Sequence, residues 1–210
     1  MPATTSTTHT ERRDLMQYPI KLNFKKIALA RQAHLSDASG ESIAYARQKL
    51  LKLKEELEVF RDKSRNEKLC AIKADRVIDF RAAYQFVSEA EQVFGSIKRE
   101  GLRSLWKATY HLQTADGEPF ATLREEKPLA KVFDAFFGDI PLVGLFCNYV
   151  FNPSYLLTTS EGEALFRIKK SPSLFGNVFH IEKLNDSHQD KDILCLMGIL
   201  MMVFLEKSRG

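Results

Sequence analysis

Long apolar runs are scarce in these 210 residues. The longest, ILCLMGILMMVFL at residues 193–205, has thirteen, short of the roughly 18–20 that a membrane-crossing helix needs. No transmembrane span is therefore expected. Cysteine is equally sparse: Cys70, Cys147 and Cys195 lie far apart in apolar settings, with no metal-ligand or redox spacing. That argues against a disulfide framework or zinc ribbon and favours buried, reduced thiols in a cytoplasmic protein. The excess of positive charge is small, +4 from 31 Lys and Arg against 27 Asp and Glu. Such a balance does not call for nucleic acid, which is not expected as a partner, but it suits acidic lipid headgroups. No basic segment followed by an apolar run opens the chain, so no secretory signal is expected.

Catalytic signatures are missing too. The chain has no nucleophile elbow, phosphate-cradling P-loop, dinucleotide glycine fingerprint or HExxH zinc motif. His9, His34, His111, His180 and His188 never fall at ligand spacing. No metal, cofactor or catalytic residue is expected, and a binding role is favoured over an enzymatic one.

What the chain does have is the stretch 193–205. A helix that is apolar on every side has no face for water and must lie inside protein. Ser187 with Asp190 three positions later forms a weak capping-box pattern ahead of it. Asp190 and Asp192 stand at its positive end, and Lys207 and Arg209 at its negative end. The central helix is expected over residues 188–207, and one enclosure that covers it on all sides is a closed β-barrel.

The rest of the chain supplies the strands. Residues 18–24 alternate Ile20, Leu22 and Phe24 against Lys21 and Asn23, which is strand period with one oily and one basic face. Further strands are expected at 27–34, 42–48, 57–61, 69–73, 84–87, 92–98, 105–112, 119–124, 155–159, 164–169 and 177–183. A short turn or helix is expected at 50–54, and 74–81 is left as a connection or irregular strand. SDASGE, SEAE, ADGE and SEGE supply turns, Asp116-Gly117 being a strong hairpin signal. The fold class expected is mainly β with helices: a closed, roughly twelve-stranded antiparallel barrel around a hydrophobic C-terminal helix. Residues 1–16 read as a disordered polar tail and 17–210 as one domain.

One block breaks the β pattern. Within residues 127–151, Leu129, Val132, Phe133, Phe136 and Phe137 form a helical apolar stripe, followed by IPLVGLFCNYVF with Phe146. Leu129, Phe133, Phe136, Phe137 and Phe146 are candidate membrane or protein-partner contacts; packing across a barrel end explains the stripe equally well. Outward strand positions carry a second candidate set, Lys21, Lys98, Lys107, Arg167 and Lys169. On neighbouring strands these cations would form a stripe for anionic headgroups. The competing reading is the ordinary solvated surface of a barrel.

Several segments carry a resemblance: KLKEELEVF at 52–60, IKADRVIDF at 72–80, GSIKREGLRSLW at 95–106, GDIPLVG at 138–144 and FNPSY at 151–155. Together with the terminal apolar helix, they resemble bacterial members of the tubby C-terminal-domain-like superfamily. That grouping includes the plant LURP-one-related proteins and the phospholipid scramblases. The resemblance implies a twelve-stranded barrel threaded by its C-terminal helix. It also implies lipid-linked roles, phosphoinositide binding among them, and no settled activity for the bacterial members. It transfers no ligand-binding residue by motif. A headgroup-binding module at a membrane surface is the first functional expectation, a protein-interaction scaffold using 129–151 the second, and a small-molecule carrier or enzyme a remote third.

Overall fold

The computed structural model describes residues 16–27, 30–49, 55–76, 82–100, 109–126, 154–171 and 177–207. Twelve strands close into an antiparallel barrel in which each pairs with its neighbours in sequence, β1 meeting β12 to seal the ring. They are β1 (Ile20–Ile27), β2 (Ala30–Ser36), β3 (Ser42–Gln48), β4 (Glu56–Phe60), β5 (Lys68–Ala74) and β6 (Ala83–Ser88). The second half comprises β7 (Val93–Arg99), β8 (Thr109–Thr114), β9 (Pro119–Glu125), β10 (Ser154–Thr159), β11 (Ala164–Lys170) and β12 (Asn177–Lys183). Closure leaves no edge strand to be capped.

Helix α1 (Asp192–Lys207) fills the barrel axis. Its residues from Leu194 to Phe204 are buried without a break, because the surrounding strands turn their apolar alternates inward: Leu22, Leu57, Ile72, Ile97 and Leu123 are all fully buried. Each large apolar side chain enclosed this way contributes roughly 1.5–3 kcal/mol gross. Helix and barrel wall therefore form one core. The exterior is polar at the alternate positions, such as Lys21, Gln32, Glu58, Lys98 and Lys169. Apolar inside and charged outside is the reverse of a membrane-spanning barrel, whose outer band is apolar. Among the described residues no helix is long and apolar enough to cross a membrane.

The helix stands closest to β7 and β8, and two glycines permit it. A Cβ on Gly95 would lie 2.2 Å from Leu194 Cδ1 and 2.9 Å from the Gln113 carbonyl oxygen. One on Gly198 would lie 2.6 Å from Leu112 Cδ2. The helix backbone at Gly198 thus comes up against a strand residue, Leu112 of β8.

At the end where the helix enters, four hairpins share one design. The first turn residue donates its amide hydrogen to the carbonyl four positions on, and its own carbonyl accepts from a left-handed residue three positions after it: Gly40 (φ 89°), Glu91 (φ 57°), Gly117 (φ 83°) and Gly162 (φ 92°). A register shift accompanies each, as a type I turn followed by a bulge requires. Glu91 holds this conformation with a side chain, which is tied to Lys73 at 2.7 Å.

Three expectations need adjustment. The second strand is Ala30–Ser36 rather than 27–34, since β1 runs on to Ile27 and Ser36 pairs with Lys21 and Ser42 instead of belonging to the turn. Ser187 does not cap the helix: its amide bonds to Asn185 Oδ1. The chain instead enters through a 3-10 turn, Gln189–Lys191, behind His188 with no side-chain cap. Met16, placed in the polar tail, packs with Tyr18 against the core. The segments 50–54, 77–81, 105–108 and 127–151, for which turns, a connection, part of a strand and a helical block are expected, lie outside the described residues.

Candidate functional site

The expected cation stripe is not assembled as a stripe. Lys21 on β1 and Lys169 on β11 come together, both opposite His180 of the strand between them. Lys169 is engaged by Glu182 at 2.9 Å, and Arg167 by Glu126 at 2.9 Å. Lys98 sits on β7, six strands round the ring from β1. Lys107 lies outside the described residues, as do Leu129, Phe133, Phe136, Phe137 and Phe146. Spacing along a strand tells inward from outward, but it cannot reveal the carboxylate on the next strand.

A different grouping takes the stripe's place. On the outer face of β1–β3, a surface cavity of about 230 Å³ is lined by Asn23, Lys25, Gln32, Ala33, His34, Tyr45 and Lys63. Strand pairing builds it. Asn23, His34 and Tyr45 stand side by side across three strands, and Lys25, Gln32 and Arg47 form the row beside them. Lys63 comes over from the connection between β4 and β5. Tyr45 is an outward residue that is nevertheless buried, forming the cavity's floor.

Charge distinguishes this face. Lys21, Lys25 and Lys63 are exposed and have no ion-pair partner among the described residues; half-buried Arg47 has none either. Next door on β4 and β5 the cations are matched: Lys49 reaches Glu56 at 2.9 Å and Glu58 at 3.0 Å, and Lys68 reaches Glu58 at 3.3 Å. Burial pushes Glu58 upward, but hydrogen bonds from Lys49 and Lys68 outweigh it and hold its pKa below the usual carboxylate range. Around the cavity, no carboxylate is among the lining residues.

No protein-family model matches the chain, and no curated protein matches it. The site has to be judged on its own chemistry.

His34 can be assigned a tautomer. Ser42 Oγ donates its one hydrogen to the Arg61 carbonyl at 3.1 Å. The 3.1 Å contact between His34 Nε2 and Ser42 Oγ must then have the imidazole as donor. The proton of neutral His34 is on Nε2, and Nδ1 has no hydrogen-bond partner among the described residues. Burial first, then Lys63 and Lys25, hold its pKa below the ordinary histidine value, so the ring is neutral at neutral pH. Two ammonium groups, two amides, a phenol and a neutral imidazole can together receive a negatively charged oxygen group. Among the described residues no group of three or more His, Cys, Asp or Glu side chains converges to hold a metal ion.

The far end of the barrel holds a second polar group. The Tyr110 hydroxyl donates to Glu206 at the end of α1, and Arg99 lies 5.8 Å over the Tyr110 ring. Arg99 Nε and Glu125 Oε1 are buried without a hydrogen-bond partner among the described residues. Burial, with Lys170 adding to it, pushes Lys207 down to about 8. In sequence, Arg99 and Tyr110 flank residues 101–108 and Glu125 precedes 127–153, segments outside the described residues. Burial pushes both described thiols, Cys70 and Cys195, up to about 12, away from thiolate chemistry.

Proposed function

We propose that this protein is a non-enzymatic binding module whose β1–β3 face associates reversibly with anionic headgroups at a membrane surface. The observation that carries the reading is that Lys25 and Lys63 line one cavity while Lys21 and Arg47 stand on the same β1–β3 face, all four without ion-pair partners among the described residues. Matched cations such as Lys49 and Lys169 have already spent their field on neighbouring carboxylates. Unmatched ones keep theirs for a ligand, at about 1 kcal/mol per Lys or Arg near an anionic surface. The tubby-like resemblance supports the same reading through the lipid-linked roles of that superfamily.

Co-sedimentation tests it. Vesicles of phosphatidylcholine with phosphatidylserine should retain the protein at low salt and release it as salt shortens the screening length, while pure phosphatidylcholine vesicles should not retain it. Equal retention by both, or retention indifferent to salt, would sink the reading.

A further inference from the structure

We infer that the β1–β3 cavity is a site for a single doubly charged oxyanion, a phosphate monoester or its sulfate equivalent, and that His34 takes up a proton at Nδ1 when the site fills. The inference rests on the binding reading just given, because it uses the same face, but it needs no membrane.

Donor chemistry leads to the ligand class. Lys25 and Lys63 bring two positive charges to one cavity, and Asn23 and Gln32 bring amide donors. One dianion matches that charge, whereas a phosphodiester carries only one negative charge. About 230 Å³ accommodates a tetrahedral oxyanion with part of whatever it is attached to. His34 is the one lining group able to change its charge in the physiological range.

The surroundings of His34 set the sign of the coupling. On one side β1 presents Lys25 and, farther along, Lys21; on the other β3 presents Tyr45 and Arg47. The connection beyond β4 presents Lys63, and its Asp62 is turned into its own loop, accepting from the Ser64 amide at 2.7 Å. Glu58 is opposite Arg47 but is held by Lys49 and Lys68. Glu41 closes the neighbouring β2–β3 turn. The charges acting directly on the ring are therefore cationic, and they keep it neutral while the cavity is empty. A dianion placed among them reverses the local field and favours imidazolium. With Nε2 committed to Ser42, the added proton goes to Nδ1, where it becomes a further donor to the anion.

By linkage, a ligand that raises the histidine pKa binds more tightly as pH falls through that pKa. The gain is about tenfold for each unit of the rise. Sulfate is the probe of choice, since it stays doubly charged where a phosphomonoester, with a second pKa of about 6, begins to protonate.

The experiment is calorimetric titration of sodium sulfate into the full chain at about pH 8 and about pH 6, at constant ionic strength and in two buffers of different ionisation heat. The expected result is binding roughly tenfold tighter at the lower pH with net proton uptake. His34→Gln, which keeps the donor to Ser42, should bind sulfate with no pH dependence. Lys25→Gln with Lys63→Gln should weaken binding at both pH values. Equal affinity and no proton uptake, an undiminished pH dependence in His34→Gln, or no sulfate binding at all would each overturn the inference.

Vesicles separate this inference from the membrane reading and identify the source of the oxyanion. Retention on phosphatidylserine vesicles without sulfate binding rejects the cavity and leaves the membrane reading standing. Sulfate binding as expected, without retention on any anionic vesicle, keeps the inference, makes the ligand a free oxyanion and rejects the membrane reading. Preferential retention on phosphatidic acid vesicles, displaced by sulfate, makes the ligand a monoester headgroup.

Discussion

Two opposite walls of this barrel meet the same helix in different ways. On β7 and β8 the helix presses in until Gly95 and Gly198 must go without side chains. On β1, six strands round the ring, the gap is bridged by large groups, as where Phe24 meets Phe204 edge to face with ring centroids 5.2 Å apart. The outer surfaces differ as well. The β1–β3 wall carries unmatched cations beside a cavity, while on the outer face of β7 Lys98 stands between Ala83 and His111. Packing against the helix and display of charge are thus assigned to separate parts of the ring, which lets either be altered without the other.

The strongest way to break the comparison is to remove what both walls share. Deleting residues 192–210 should abolish folding, read as loss of any cooperative thermal transition; a truncated chain that still melts cooperatively would mean the walls do not depend on the helix. Next comes the place where the helix enters. Lys183 Nζ lies 2.7 Å from buried Asp192, whose pKa burial nevertheless pushes upward. Lys183→Met would leave that carboxylate enclosed without its cation and should cost about 3 kcal/mol in chemical denaturation, with sulfate binding unchanged in the folded protein. At the packed wall, Gly198→Leu should destabilise by roughly 1–3 kcal/mol through collision with Leu112, again without touching binding. A loss under about 0.5 kcal/mol, within the range of surface substitutions, would show that the helix is not confined there. The smallest effect on stability belongs to the charged wall: Lys25→Glu with Lys63→Glu should alter unfolding by no more than about 0.5 kcal/mol while removing most of the binding.

The fold was legible for a particular reason. An unbroken apolar stretch such as 193–205 has few places to go, and residues such as Leu22 and Phe24 alternating with Asn23 and Lys25 state which way a strand faces. Hairpin signals did the rest at ADGE and SEGE, where Gly117 and Gly162 take up positive φ. The site was not legible in the same way. The cavity needs Lys25, His34, Tyr45 and Lys63 from four segments, brought together by register across β1–β3 and a loop beyond β4. Of the cations chosen from spacing, Lys21 lies on that face, while Lys169 and Arg167 are neutralised by carboxylates on other segments, Glu182 and Glu126. The basic face of residues 18–24 was the available signal. It pointed to β1 but could not identify its partners.

Vesicle co-sedimentation of three charge-reversed proteins beside the native chain tests the separation of walls most directly. The account predicts that Lys25→Glu with Lys63→Glu loses retention on phosphatidylserine vesicles, by about tenfold or more for two reversed charges. Lys98→Glu, on the opposite wall, and Lys169→Glu, already matched by Glu182, should sediment much as the native protein does. Equal losses in all three would mean that only net charge matters, and loss confined to Lys98→Glu or Lys169→Glu would place binding away from the Lys25–Lys63 cavity and contradict the account.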